Sequence, residues 1–345
     1  MISLPIQPQE ATKILLKSLP TRRMRDVIGK RFALKGGRKK TLESIGGEYK
    51  ITRERVRQIE TEALRHLRKN SNAAELQPMF RTLEAYLVSN GGVMAECDFF
   101  TNLAKDREHP HLALLLAVNE SLRYAPETDL YQARWGINKD KIEQVEKVVS
   151  RLVSALSEKN EPVKRDLLSI IASSHLKEIS GEEPSSQVVD ACINTSKVIS
   201  QNPYNEYGLS HWSMIQPRGV RDKAFAVLTK SGKPLHFTDV AVAIDRVGWS
   251  KKRAHPQTVH NELIKDHRFV LVGRGLYALR EWGYEPGVVR DVLVSLFKKA
   301  GRPLDREEIV RLVSEKRFVK PQTVMLNLQN RSLFKKTEDG KFLLA

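Results

Sequence analysis

The chain has 345 residues, a formal net charge of +17, hydrophobic residues at 41% and aromatic residues at 7%. That length exceeds one small core and points to two to five modules of a folded protein, and the basic balance favours a polyanionic partner. The charge is uneven. Residues 1–70 hold 18 Lys and Arg against 7 Asp and Glu, residues 71–150 hold 8 against 12, residues 151–218 hold 7 against 8, and residues 219–345 hold 25 against 14, which excludes a uniformly basic protein.

Residues 1–20 read as a short lead with a helical patch, Ala11 to Leu19, ended by Pro20. Thr21 to Leu34 follows as a basic amphipathic helix with Met24, Val27, Ile28, Phe32 and Leu34 inward, and Lys35 to Lys40 form a basic loop. Thr41 to Lys69 then predicts two helices joined by a tight turn after Gly46-Gly47 and Tyr49. In the second, Val56, Ile59, Ala63, Leu64 and Leu67 recur at the spacings of a buried face, with Thr52 at the N-cap position. Its other face presents Arg53, Glu54, Arg57, Gln58, Thr61 and Arg65. Arg suits guanine O6/N7, Gln suits adenine and Glu accepts from cytosine N4, so this helix is expected to read the major groove.

RRMRDVIGKRFAL followed by TLESIGGEYKITRERVRQIETEALRHLRK resembles the fourth conserved region of sigma-70 family factors, over about 50 residues. The resemblance implies a domain that reads the promoter −35 element, with Arg53, Glu54 and Gln58 at bases and Thr52, Arg55 and Arg57 beside them as phosphate or structural neighbours. It also implies association with bacterial RNA polymerase through its flap. Arg22, Arg31, Arg38, Lys39 and Lys40 cluster in sequence around that helix and are expected at phosphates. Nothing elsewhere in the chain resembles the sigma region that binds the polymerase clamp and melts the −10 element.

After Asn70-Ser71-Asn72 the composition changes and repeats emerge. Val220-Arg221-Asp222 and Gly232-Lys233-Pro234-Leu235 recur 69 residues on as Val289-Arg290-Asp291 and Gly301-Arg302-Pro303-Leu304. Pro256-Gln257-Thr258-Val259, Phe269, Gly275 and Tyr277 recur 65 residues on as Pro321-Gln322-Thr323-Val324, Phe334, Gly340 and Phe342. Each copy predicts three helices and a hairpin with glycine in its turn, a winged helix. Tyr131…Trp135 and Tyr207…Trp212 echo Tyr277…Trp282, so weaker copies precede. The expected fold is mainly α, an N-terminal helix-turn-helix domain (1–70) followed by tandem winged-helix modules at 76–138, 142–216, 219–284 and 287–345.

KAFAVLTKSGKPLHFTDVAVAI and HPQTVHNELIKDHRFVLVGRGLYAL, within 219–284, resemble the HARE-HTH domain, also found in the delta subunit of some bacterial RNA polymerases. Secondary DNA contacts are expected from Lys251, Lys252, Arg253, Gln257, Thr258, Asn261 and the wing-tip Arg274. In the last module Lys316, Arg317, Lys320, Gln322, Arg331, Lys335 and Lys336 invite the same reading. The middle modules lack a basic helix and suit spacing or partner binding.

Trp135, Trp212, Trp249 and Trp282 are expected in packing, and Cys97 and Cys192 as buried thiols of a reducing compartment, since no CxxC or His pair accompanies them. No apolar run approaches the ~18–20 residues of a membrane span, no signal pattern opens the chain, and no P-loop, GxGxxG, GxSxG or nuclease constellation occurs. These residues favour a non-enzymatic, cofactor-free and metal-free protein of the cytoplasm and nucleoid that binds double-stranded DNA and no membrane. Three functions stay open: a sigma-related transcription protein, a nucleoid-associated or DNA-maintenance adaptor, and a DNA modification or restriction component. Oligomeric state is not specified by these features.

Overall fold

The computed structural model describes residues 4–71, 73–284, 287–317, 319–337 and 339–345. Residues 1–3 of the predicted lead and Asn72 of the predicted boundary lie outside them. Two compact units are present, residues 1–200 with 207–210 and residues 201–206 with 211–345.

The first unit opens with α1 (Pro8–Lys17), whose proline sits in the first turn where its missing N–H costs nothing, and α2 (Arg22–Arg31). Thr21 caps α2 by accepting from the Met24 amide at 3.2 Å. The helix stops short of the predicted Leu34 because Ala33 takes a left-handed φ of 58°, which a continuing helix cannot hold. Helices α3 (Leu42–Tyr49) and α4 (Arg53–Asn70) follow. Lys50 ends α3 in the left-handed region at φ 53°, and the Ile51 amide returns to the Gly46 carbonyl at 3.0 Å. A Cβ on Gly46 would stand 2.7 Å from the Ile51 carbonyl oxygen, so only glycine permits this close passage. Val56, Ile59, Ala63 and Leu67 of α4 are buried as their spacing predicts, while Leu64 is half-buried.

The composition change near Asn72 marks no break in the core. After α5 (Gln77–Ser89), β1 (Val93–Ala95) and α6 (Glu96–Leu103) comes α7 (His109–Val118), apolar on all sides in HLALLLAV. Helix α7 packs against both α1 and α4, and one apolar cluster runs from Ala11 and Leu15 through Leu67, Leu114 and Leu115 to Trp135. Strands β2 (Arg123–Ala125) and β3 (Arg134–Gly136) complete this segment, with β3 central in an antiparallel sheet of order β1-β3-β2. Next come α8 (Lys139–Lys159), β4 (Val163–Lys164), α9 (Arg165–Ser180), α10 (Ser186–Asn194), β5 (Ile199–Gln201) and β6 (Glu206–Leu209), the strands in order β4-β6-β5.

The second unit repeats that succession. It contains α11 (Val220–Ser231), β7 (Leu235–His236), α12 (Phe237–Val247), α13 (Pro256–Lys265), β8 (Phe269–Gly273) and β9 (Leu276–Leu279), again with the last strand central. Then follow α14 (Val289–Ala300), α15 (Arg306–Lys316), α16 (Pro321–Leu328), β10 (Phe334–Lys336) and β11 (Phe342–Leu344), where a bridge between Leu304 and Phe342 replaces the first strand. Gly232 and Gly301 end α11 and α14 at φ 64° and 61°, the turn conformation that the repeated Gly-Lys/Arg-Pro needs. Pro256 and Pro321 open α13 and α16, and Phe269 and Phe334 open the two wings. The chain is mainly α with small antiparallel sheets: a helix-turn-helix followed by winged-helix architecture.

Trp135 is buried, with its indole N–H on Glu96 at 2.9 Å, while Trp249 and Trp282 pack half-buried on the α11–α13 core. Trp135 lies within its strand whereas Trp212 and Trp282 follow theirs, so the aromatic echo read from the sequence is not in structural register. Cys192 is buried, which pushes its thiol up to about 12, but Cys97 is exposed on α6, because that helix directs Phe99, Phe100 and Leu103 inward instead. Among the described residues no helix is long and apolar enough to cross a membrane, and no three His, Cys, Asp or Glu are grouped to hold a metal ion.

Gly46→Ala is expected to lower the stability of the first unit by about 1–3 kcal/mol, since the added carbon forces α3 and α4 apart. Thermal denaturation against a Gly47→Ala control, which meets no atom within 4 Å, measures it.

Candidate nucleic-acid interface

Helix α4 is anchored by its buried stripe and positioned by the turn, and its length of about 27 Å exceeds what the turn needs. Thr52 caps it by accepting from the Arg55 amide at 3.2 Å, a structural role that leaves its hydroxyl engaged. Arg53, Glu54, Arg55, Arg57 and Gln58 are all exposed on its first two turns. They are ordered among themselves. Arg57 donates to Glu54 through Nε at 2.9 Å and Nη2 at 2.7 Å, and Arg55 donates to Gln58 Oε1 at 3.0 Å. The hydrogen bonds from Arg57 hold the Glu54 carboxyl below its usual range, so it stays an acceptor. Exposed pairs of this kind are worth little, so exchanging them for base edges costs little while the side chains are already extended.

The basic residues around α4 divide by environment. Arg22 is exposed, and with Arg23 and Arg25 it occupies the first turn of α2, the end where the helix dipole disfavours cations. No acidic residue accompanies them there, a placement that a phosphate would relieve. Arg38, Lys39 and Lys40 are exposed just before α3. Lys40 is also bound to Glu48. Arg31 differs: half-buried, it donates to Glu60 at 2.9 Å and to the Lys40 carbonyl at 2.8 Å, tying α2 and the loop to the flank of α4. It braces α4 against α2 from a half-buried, paired position, whereas the sequence reading expects it at phosphates.

Beneath these cations lies a network that sequence reasoning missed. The Tyr49 hydroxyl donates to Asp26 at 2.5 Å, and Lys30 bridges Asp26 at 2.5 Å and Glu48 at 2.8 Å. Arg23 and Lys30 lie over the Tyr49 ring, 4.9 and 4.8 Å from its centroid. Burial works against the Asp26 carboxylate, yet the hydrogen bonds from Lys30 and Tyr49 outweigh it and lower its pKa. The hydrogen bonds to Asp26 and Glu48 raise that of Lys30. Asp26 and Lys30 lie one helical turn apart, a signal present in the sequence, but nothing local ties them to Tyr49, which stands 23 residues away.

In the second unit Lys251, Lys252 and Arg253 are exposed in the loop before α13, and Gln257, Thr258 and Asn261 are exposed on that helix. Gln257 donates to Asn261 at 3.3 Å, and Arg274 stands exposed in the turn between β8 and β9. These residues therefore share one helix and its wing. Arg317 does not join a DNA-facing set: it is 5% exposed and donates to the carbonyls of Gly287 and, at 3.1 Å, Leu271. Burial lowers its pKa, and the two carbonyls hold it inside the fold.

An exposed helix seated by a tight turn, and a third helix paired with a wing, define helix-turn-helix and winged-helix nucleic-acid-binding modules. Residues 15–69 match the family described as Sigma-70, region 4, and residues 219–282 match the HARE-HTH family, a helix-turn-helix domain named in part for ASXL and restriction endonuclease proteins. Residues 15–69 thus carry a sigma-70 region 4 helix-turn-helix and residues 219–282 a HARE-HTH winged helix, both of them DNA-binding domains. The chain is similar to the RNA polymerase sigma factor SigA of Clostridium acetobutylicum, 49% identical over 65 residues, which are 18% of this chain and 17% of that protein. The SigA of a Nostoc species is 45% identical over 73 residues, 21% of this chain and 18% of that protein, and the Listeria monocytogenes SigA 47% over 57 residues, 16% and 15%. The chain therefore spans less than a fifth of the length of these relatives.

Asp26→Asn is expected to cost about 1 kcal/mol at neutral pH. Because the folded-state pKa of Asp26 lies below its unfolded value, its contribution is complete above about pH 4 and is lost as pH falls through the folded value. Denaturant titrations of both proteins should therefore converge at acid pH and differ at neutrality.

Proposed function

We propose that this chain is a sequence-specific DNA-binding transcription protein that reads −35-like promoter DNA with α4 and associates with bacterial RNA polymerase. The observation that carries this reading is the exposure of Arg53, Glu54, Arg57 and Gln58 together on the first turns of a helix whose segment matches sigma-70 region 4, with Arg57 paired to Glu54 and Arg55 to Gln58. Thr52 seats that helix, while Arg22, Arg38, Lys39 and Lys40 supply phosphate contacts that give affinity and salt dependence. Arg31 acts through Glu60 as a positioning residue. We divide the chain at 1–70, 76–138, 142–216, 219–284 and 287–345, the last four as winged-helix modules of three helices and a hairpin, with a bridge in place of the first strand in the last. The HARE-type module binds a second stretch of DNA through Lys251, Lys252, Arg253, Gln257, Thr258, Asn261 and Arg274. Two DNA-binding ends on one chain raise each other's effective concentration on a duplex. The protein works without enzymatic chemistry, in the cytoplasm on the nucleoid.

The test is a binding titration of the full chain on duplexes with a TTGACA-like hexamer and on scrambled duplexes, at two salt concentrations. A preference of about 1–3 kcal/mol for the hexamer, lost in Gln58→Ala, is the expected result. Equal, salt-steep binding to both duplexes would instead make it a nucleoid-type adaptor.

A further inference from the structure

We infer that the phosphate-binding surface of the first unit continues past Arg22, Arg38 and Lys40 into a basic groove that takes the sugar-phosphate backbone of DNA flanking the site read by α4. The inference rests on the DNA-binding reading above and adds residues that the sigma-like segment does not contain.

The groove encloses about 1050 Å³ between α1, α2, the loop before α3 and residues 107–111. Lys13, Arg22, Arg25, Lys35, Arg38 and Arg107 line it, and none of the six enters an ion pair among the described residues. Its single lining carboxylate, Asp26, is already occupied by Lys30 and Tyr49. Six unpaired cations facing one hollow repel one another, and an anion is what offsets that repulsion. His111 also lines the groove, is 8% exposed, and has no hydrogen-bond partner for its buried Nδ1. That nitrogen is closed off from the groove's open face, so the affinity for an anion rests on the six cations. Burial keeps this imidazole in its neutral form at neutral pH.

The arrangement of the charges favours a phosphodiester chain. Arg38 and Lys40 stand at the N-terminus of α3, the first helix of the helix-turn-helix, which crosses the backbone when the second lies in the major groove. The cations of α2, Lys13 and Arg107 line the same groove. Helix α2, about 15 Å long, spans the rise of roughly four nucleotides of one strand. Lys13 and Arg107 fall outside residues 15–69, so this part of the surface belongs to what the chain adds around its sigma-like segment.

The experiment compares the full-length protein with the double variant Lys13→Glu/Arg107→Glu, both positions being exposed so that melting curves should coincide. Binding is measured against salt on a long duplex with the hexamer at its centre and on a short one trimmed close to the hexamer. On the long duplex the variant should bind about tenfold or more weakly, with a log–log salt slope shallower by about two, one phosphate for each reversed charge. On the short duplex the two proteins should match. Unchanged affinity and slope on the long duplex would overturn the proposal, as would poly-glutamate binding the wild type more tightly than DNA does and losing that advantage in the variant. Absence of hexamer preference in the wild type would count against the reading by α4 alone, because the groove is read out by the salt slope on a long duplex of either sequence.

Discussion

The DNA-facing geometry of the first unit depends on how closely the Ile51 carbonyl passes Gly46. With no side chain there, α3 can end in a left-handed residue and α4 can start three residues later, already capped by Thr52. That short turn fixes which face of α4 is buried. Once Val56, Ile59, Ala63 and Leu67 are inward, Arg53, Glu54, Arg57 and Gln58 have nowhere to point but outward. Arg31 and Glu60 then brace the outer flank against α2. A single steric permission thus propagates into an oriented array of donors and acceptors.

The electrostatics follow a similar division of labour. Half-buried charges, such as Asp26, Lys30 and Arg31, are committed to one another and stiffen the scaffold. The exposed ones either pair loosely along α4 or stand unpaired around α2 and the loop before α3. Paired and unpaired charge are therefore largely segregated by depth, and the exposed kind is the one a polyanion could reach.

Much of this is legible in the sequence because the signals are local. The caps Thr41 and Thr52, the apolar stripe of α4, the Gly-Lys/Arg-Pro turns and the Pro-opened third helices are each written within a few residues of the structure they produce. What is not legible depends on long-range packing. Arg317 sits in a basic stretch that reads like a DNA-facing set, yet carbonyls 30 and 46 residues away claim it. Cys97 departs from the usual burial of small hydrophobes because the inward face of α6 is already filled by Phe99, Phe100 and Leu103. The groove between α2 and residues 107–111 joins parts of the chain separated by about 80 positions, a separation for which periodicity carries no signal.

Helix α7 carries one more consequence. An apolar helix from a later part of the chain covers α1 and α4, so the sigma-like segment shares its core with residues outside it. Cut free at Asn70, the sigma-like piece would expose the surfaces of α1 and α4 that α7 now covers, and would lean toward self-association. Residues 15–69 and the helix that covers them share one core, so a cavity opened at Leu115 of α7 would be felt in α1 and α4, which pack against it.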